Sequence, residues 1–198
     1  GDFKFINPLE NKYKIENGAK IIVDNGNAVV GNIYGRKYRV EDKEGRVGIF
    51  QIQEHRTSIS APNGKIIAED IVNTVSLDAD SIMVLNVEQD SILSAREILF
   101  YGGKLTFDCI IKLKKSGSIR FFENFSIQGL SGDAIIELEN GKKIRLFDLK
   151  TKKIKDLPDE LISNKENYSK DATLVGNGFT ITYDMLDNLS KKQETKQN

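Results

Sequence analysis

The chain has 198 residues, 39% of them hydrophobic and 29% charged, and its 29 Lys plus Arg balance 29 Asp plus Glu to a formal net charge of zero. This is the composition of a folded globular protein rather than a disordered chain, and the absence of a net field argues against nucleic acid or an anionic membrane as partner. No apolar run reaches the length of a spanning helix, so membrane insertion is not expected.

In chain order, residues 1–18 hold Pro8 and polar spacing. Ala19–Val23 and Ala28–Val30 flank Asp24-Asn25-Gly26-Asn27, whose residue types signal a hairpin turn. Tyr34–Val40 and Val47–Gln53 read as two strands about the charged turn Glu41-Asp42-Lys43-Glu44-Gly45. Pro62-Asn63-Gly64 is a further turn, and Lys65–Val75 fits a strand, a short helix or both. Strand-like runs then follow at Ser81–Val87, Ile92–Ala95 and Ile98–Tyr101, ending at Gly102-Gly103. Phe107, Cys109, Ile111 and Leu113 alternate with Asp108, Ile110, Lys112 and Lys114, the period of a strand with one buried face. Turns at Ser116-Gly117-Ser118 and Leu130-Ser131-Gly132-Asp133 separate Ile119–Phe122 from Ala134–Glu139. Asn140-Gly141 predicts a type I′ hairpin leading into Ile144–Leu149.

Towards the end, Leu157–Ile162 predicts one helical turn with Pro158 at its first position. Gly178–Tyr183 predicts the last strand, Asp184–Leu189 a short helix, and Ser190–Asn198 a polar tail without a core to join. Turn signals at intervals of about ten residues imply an all-β fold: a β-roll, a double-stranded β-helix or a sandwich of short antiparallel strands, with one or two short C-terminal helical turns. Residues 1–189 read as one all-β domain, within which 1–72 could form a subdomain, and 190–198 as a disordered tail.

The side chains are chemically quiet. His55 is the one histidine, which speaks against the usual zinc sites and against a metal-dependent cupin. Nothing in Glu54-His55-Arg56-Thr57-Ser58 resembles a nucleophile elbow, so His55 is expected to be a surface histidine at a strand end. The single Cys109 cannot close an intramolecular disulfide, and its strand face marks it as a small buried hydrophobe. Asp78-Ala79-Asp80 and Glu88-Gln89-Asp90 lack the spacing and glycine of an EF-hand and read as solvated turn carboxylates. The stretch from Gly31 to Arg39 interleaves basic and aromatic residues, but Glu41, Asp42 and Glu44 follow and cancel much of its field. Tyr101-Gly102-Gly103-Lys104 does not have the offsets of a phosphate loop. No catalytic, cofactor-binding or metal-binding residue is assigned.

Two segments share a phrasing: Val75-Ser76-Leu77 through Ser81–Val87 to Ile92–Ala95, and Leu146–Leu149 through Ile154–Glu160 to Leu161-Ile162-Ser163. With Phe125–Leu138 between them, this pattern over residues 75–163 resembles the altered-inheritance-of-mitochondria family of β-roll proteins. The resemblance implies a double-stranded β-helix or roll with stacked sheets, ring-like homo-oligomers, and no catalytic residues to carry over. In place of the family's usual turn before the small-residue step stands Glu88-Gln89-Asp90-Ser91.

The expected function is that of a non-enzymatic soluble scaffold acting through its surfaces, as a homo-oligomer or with a protein partner. A carbohydrate- or envelope-binding or phage-type structural module is the alternative, with Tyr34, Tyr38, Phe121 or Phe122 as an exposed platform. A carboxylate-dependent hydrolase is a third reading. The N-terminus shows no basic and apolar leader, so a cytoplasmic location is expected, although a start at Gly1 leaves room for a processed one. The abundance of Lys, Asn and Ile fits an AT-rich bacterial genome.

Overall fold

The structure, a computed structural model, describes residues 1–5, 15–16, 18–41, 44, 47–101, 103–105, 109–121, 125–127, 135–145, 174–176 and 179–195. Four long strands, β8 (Thr57–Ile67), β10 (Val75–Val84), β12 (Ile92–Phe100) and β14 (Ile110–Phe121), lie side by side in a 10-stranded sheet. The short strands β5 (Ile33–Tyr34), β9 (Asp70–Val72), β11 (Asn86–Glu88) and β13 (Gly103–Leu105) neighbour one another in a second sheet. The chain visits the two sheets in turn, and every pairing among these eight strands is parallel. It winds as a parallel β-solenoid. Thr57 pairs with Val75, Ser76 with Ile92 and Ile92 with Ile110, so successive coils advance by 18, 16 and 18 residues.

The inward side chains explain the winding. In β10 they are Val75, Leu77 and Ala79, then Ile82 and Val84; in β12, Leu93 and Ala95, then Ile98 and Phe100. A strict strand repeats every two residues, so the step of three after the alanine turns the strand onto a new side. Each long strand therefore builds two sides of a coil, here called sides one and two, and the short strand builds side three. In β8 the step is widened to Pro62-Asn63-Gly64 opposite Asp80, and in β14 to Lys114–Gly117 opposite Arg96, which gives the register shifts at both places. Alanine (Ala61, Ala79, Ala95) fills the narrow inner corner, and Leu113 takes over beside the widest bulge.

Equivalent inward positions stack coil on coil at the inter-strand spacing of about 4.8 Å. Ile59, Leu77, Leu93, Ile111 and Ile136 form one buried row; Ile15, Ile33, Ile71, Val87 and Leu105 form another on side three. Phe100 and Phe121 stack at 5.2 Å between ring centres, 5° from parallel. Burying each such side chain contributes about 1.5–3 kcal/mol. Buried hydroxyls in the rows are satisfied locally: Thr57 Oγ1 donates to the Tyr34 carbonyl at 2.7 Å and accepts from the Gly18 N–H at 3.1 Å, and Ser91 Oγ donates to the Glu88 carbonyl at 2.9 Å. Cys109, free and buried as expected, occupies the same row as Thr57, Val75 and Ser91.

The corner from side three to side one uses pairs of left-handed residues, Asn73-Thr74 (φ 61° and 60°) and Gln89-Asp90 (φ 47° and 57°). Such φ values are costly outside glycine. The pairs are held by stacking, with Asn73 N–H on the Glu88 carbonyl at 3.3 Å and Thr74 N–H on the Gln89 carbonyl at 3.0 Å. One coil departs from the repeat at this corner. Ile33 pairs with Ile71, 38 residues on, because the antiparallel hairpin of β6 (Arg36–Glu41) and β7 (Val47–His55) is inserted there. Without the 20 residues Arg36–His55 the coil would advance by 18. Gly35 is required at the root of the hairpin, since a methyl group there would overlap the Asn73 carbonyl and Thr74 Oγ1.

At the start of the chain, β1 (Phe3–Phe5) pairs with β4 (Ala28–Val30), and β2 (Ile15–Glu16) with β5. Both β3 (Lys20–Ile22) and β4 pair parallel with β8, on its first and second halves. Asp24–Asn27 is thus a coil corner and not the hairpin its composition suggests: the chain turns onto the next side instead of reversing. The far end is closed by antiparallel strands, β17 (Lys143–Arg145) on β16 (Ile135–Leu138), β18 (Leu174–Gly176) on β15 (Phe125–Ile127), and β19 (Phe179–Thr182) on the second half of β14.

Helix α1 (Tyr183–Thr195) follows β19, with Met185 N–H on Thr182 Oγ1 at 3.3 Å as its N-cap. It buries Tyr183, Leu186, Leu189 and Ser190.

The all-β class and the hairpin between Tyr34 and Gln53 agree with the sequence reading. Strand direction does not, because alternation and turn residues mark where strands lie but not whether the chain reverses or circles back, and here the repeating coils pair in parallel. The Asn140-Gly141 hairpin exists, but with three residues in the loop: Leu138 N–H meets the Lys142 carbonyl at 2.8 Å and only Gly141 of the loop has positive φ, 84°. The helix reaches Thr195, into the stretch expected as a tail. The helical turn expected at Leu157–Ile162 lies outside the described residues.

Candidate binding surface

Outward side chains stack in rows as regularly as the inward ones. On side two the first row is Lys65, Ser81, Glu97, and the second is Ile67, Met83, Leu99. A third row follows at Glu69, Leu85, Tyr101, where Leu85 N–H donates to the Glu69 carbonyl and Tyr101 N–H to the Val84 carbonyl, each at 3.1 Å. Three coils thereby present a grid of nine positions, of which Ser81 is buried, and the second row runs on to Val29 in β4 and the exposed Arg120 in β14. Ile67, Met83 and Leu99 are half-buried; Leu85 and Tyr101 are 36% and 42% exposed. Tyr101 leans over the apolar row, its hydroxyl 3.3 Å from Met83 Sδ.

The edge between sides one and two carries the charges. Arg96 grips Asp80 of the preceding coil with two bonds, Nε–Oδ1 at 3.0 Å and Nη2–Oδ2 at 3.1 Å, and reaches Glu97 Oε1 at 2.8 Å. Lys114 Nζ meets Asp78 Oδ1 at 3.1 Å, spanning two coils. The guanidinium hydrogen bond holds the Asp80 carboxyl below its ordinary range, against a smaller opposing effect of desolvation, with the charges of Arg96 and Lys114 adding. Arg96 is correspondingly raised by Asp80 and then Glu97. These groups clamp neighbouring coils together while remaining substantially exposed.

A cleft of about 400 Å³ at the helix end is lined by Lys115, Glu139, Asn140, Tyr183 and Asp187. Its carboxylates are also engaged. Glu139 Oε2 accepts the Lys115 N–H at 2.6 Å; Asp187 pairs with Lys191 at 2.7 Å and accepts from Asn140 at 2.9 Å. The Lys191 hydrogen bond above all holds Asp187 below the ordinary carboxylate range.

The residues singled out by sequence are dispersed. His55 ends β7, exposed and across from Arg36. Asp78 and Asp80 lie within β10 rather than in a turn, and Glu88 ends β11 with Gln89-Asp90 forming a corner. The stretch from Gly31 to Arg39 crosses side three through β5 and runs out into the hairpin. Tyr34 is half-buried, whereas Phe121 is buried in the core against Phe100 and cannot serve as an exposed platform. Phe122 and the Tyr38 side chain lie outside the described residues. Sequence reading missed the side-two grid, although the spacing of Ile67, Met83 and Leu99 by 16 residues is its signature. Among the described residues no cluster of three or more His, Cys, Asp or Glu could hold a metal, and no helix is long and apolar enough to cross a membrane.

No family model matches the chain, and neither a curated protein nor a solved structure does.

Proposed function

We propose that this protein is a non-enzymatic scaffold that works through its surfaces, by association with copies of itself or with a protein partner. The observation that carries the reading is the division of labour on the outer surface: charged groups at the coil edge are used in coil-to-coil ion pairs, while side two keeps an in-register apolar row. Asp80 and Asp187 are each held in the ionised form by a basic partner of the same chain, which fits a structural use of these carboxylates. The resemblance to the β-roll family supports the same reading, since it implies homo-oligomers. A cytoplasmic setting belongs to the proposal and is supported by a lone buried thiol.

Size-exclusion chromatography with light scattering, run beside a glycoside-hydrolysis screen, tests it. The expected result is a mass above the 22.2 kDa of one chain and no turnover. Hydrolysis abolished by Asp78→Asn or Asp187→Asn would overturn the non-enzymatic reading. The half-buried, outward Tyr34 supports carbohydrate or envelope binding as a second reading, for which glycan-array binding lost in Tyr34→Ala is the distinguishing result.

A further inference from the structure

We infer that side two is the contact face of a symmetric dimer, two copies lying face to face with their solenoid axes antiparallel and a two-fold axis running along β10. The inference rests on the scaffold reading above and names its partner as a second copy of this chain. An isologous interface demands self-complementarity of a single surface. A two-fold axis along β10 leaves each row facing itself with the coil order reversed. In the first row Lys65 then meets Glu97 of the second copy, and Glu97, which also holds its own Arg96 at 2.8 Å, meets its Lys65, with Ser81 buried beneath the axis. In the second row Ile67 meets Leu99, and Met83 meets Met83. In the third row Glu69 faces Tyr101, whose hydroxyl, on Met83 Sδ in the single chain, turns to donate to the carboxylate, and Leu85 meets Leu85.

Across β8, β10 and β12 the three rows match under one operation: opposite charges at one margin, apolar contact through the middle, and a donor with an acceptor at the other margin; one strand further out the same operation lays the aliphatic stem of Arg120 against Val29. Had Lys65 and Glu97 carried the same sign, this symmetry would have placed like charges together, which costs association heavily. The central row is unbranched or γ-branched at Met83 and Leu99, side chains that adapt to a facing sheet. Sheets packed this way sit about 10 Å apart with their inner side chains interdigitated. Among the described residues Tyr101 reaches over the apolar row with its hydroxyl on Met83 Sδ, and Ile67, Met83 and Leu99 stay half-buried.

Sedimentation equilibrium of the full chain and its variants decides the matter. The wild type is expected to be a reversible dimer, and Met83→Asp, which buries two facing carboxylates on the axis, to weaken association by about a hundredfold or more. Lys65→Glu and Glu97→Lys should each weaken it, and the double exchange Lys65→Glu/Glu97→Lys should restore it. Circular dichroism melts of the same variants separate lost association from lost folding, because all three positions point outward. A wild-type chain that stays monomeric at high concentration, a dimer indifferent to Met83→Asp, or a double exchange no better than either single overturns the inference. A closed ring larger than two copies would overturn it as well, since a ring needs two different faces; that outcome would leave the scaffold reading standing, whereas hydrolytic activity would remove the scaffold reading itself.

Discussion

Residues 57–105 and residues 36–55 are both strand, but they are held by different means. Each coil between Thr57 and Leu105 places a side chain in rows that continue above and below it, so Leu77 rests on Ile59 and Leu93, and every long strand has hydrogen-bonded neighbours on both edges. Among the described residues the β6–β7 hairpin pairs only its own two strands, Arg36 across from His55 and Glu41 across from Val47, in a sheet of its own. Two-stranded ribbons are marginal in water, whereas a stack gains with each coil added. In this molecule stability is a property of the stack, and material inserted at a corner can vary without disturbing it.

Ile98→Ala leaves a cavity between Ile82 and Ile119 in a fully buried row, and is expected to cost about 2–5 kcal/mol in denaturant titration. A loss below about 1 kcal/mol, the scale of an exposed site, would mean the rows are not close-packed. Next comes Thr57→Val, which keeps the shape but strands the Gly18 N–H and removes the donor to the Tyr34 carbonyl; about 1–3 kcal/mol should be lost by the same measurement. The hairpin sharpens the comparison from the other side. Excising Arg36–His55 leaves two residues, Gly35 and Arg56, between Tyr34 and Thr57, as Asn73-Thr74 lie between Val72 and Val75. With Arg56→Gly to permit the left-handed corner, the shortened chain should fold cooperatively within about 1 kcal/mol of the parent. An unfolded or molten product would show that the hairpin is part of the stack after all.

Much of the fold was legible because alternation is a direct imprint of burial: Cys109, Ile111 and Leu113 are inward as their spacing implies. What the local pattern could not carry was the return of the chain to the same side. That information sits in a longer repeat, inward residues at Val75, Leu77, Ala79, Ile82, Val84 and again at Ser91, Leu93, Ala95, Ile98, Phe100, blurred by Pro62-Asn63-Gly64, by Lys114–Gly117 and by the inserted hairpin. The phrase common to Val75–Ala95 and Leu146–Ser163 spans a different interval, and its second copy falls outside the described residues. Corners misled for a related reason. Asn and Gly favour turns whether the chain reverses, as at Asn140-Gly141, or merely changes side, as at Asp24–Asn27. The grid on side two stayed hidden because Ile67, Met83 and Leu99 are unremarkable singly and become a surface only once register stacks them.

The smallest expected effect tests how far the ionic edge belongs to the stack. Asp80→Asn removes one charge from the Asp80–Arg96 clamp, yet Arg96 keeps Glu97 at 2.8 Å and the site is exposed, so the midpoint of thermal unfolding should fall by no more than about 2 °C at neutral pH. The pH dependence carries the sign. Asp80 has its carboxyl depressed in the folded state, so its ionised form stabilises the fold at every pH above the ordinary aspartate value of 3.8, and that contribution disappears as the pH falls through the lower folded value. The gap between wild type and Asp80→Asn should accordingly be constant from neutral pH down to mildly acidic solution and then close. High salt should narrow it at neutral pH, as screening of an exposed pair requires. A gap that persists unchanged in acid would mean that Asp80 contributes by shape and neutral hydrogen bonding. In that case the coils are joined at this edge by backbone ladders and uncharged side-chain contacts, and the ionic part of the Asp80–Arg96 pair adds nothing.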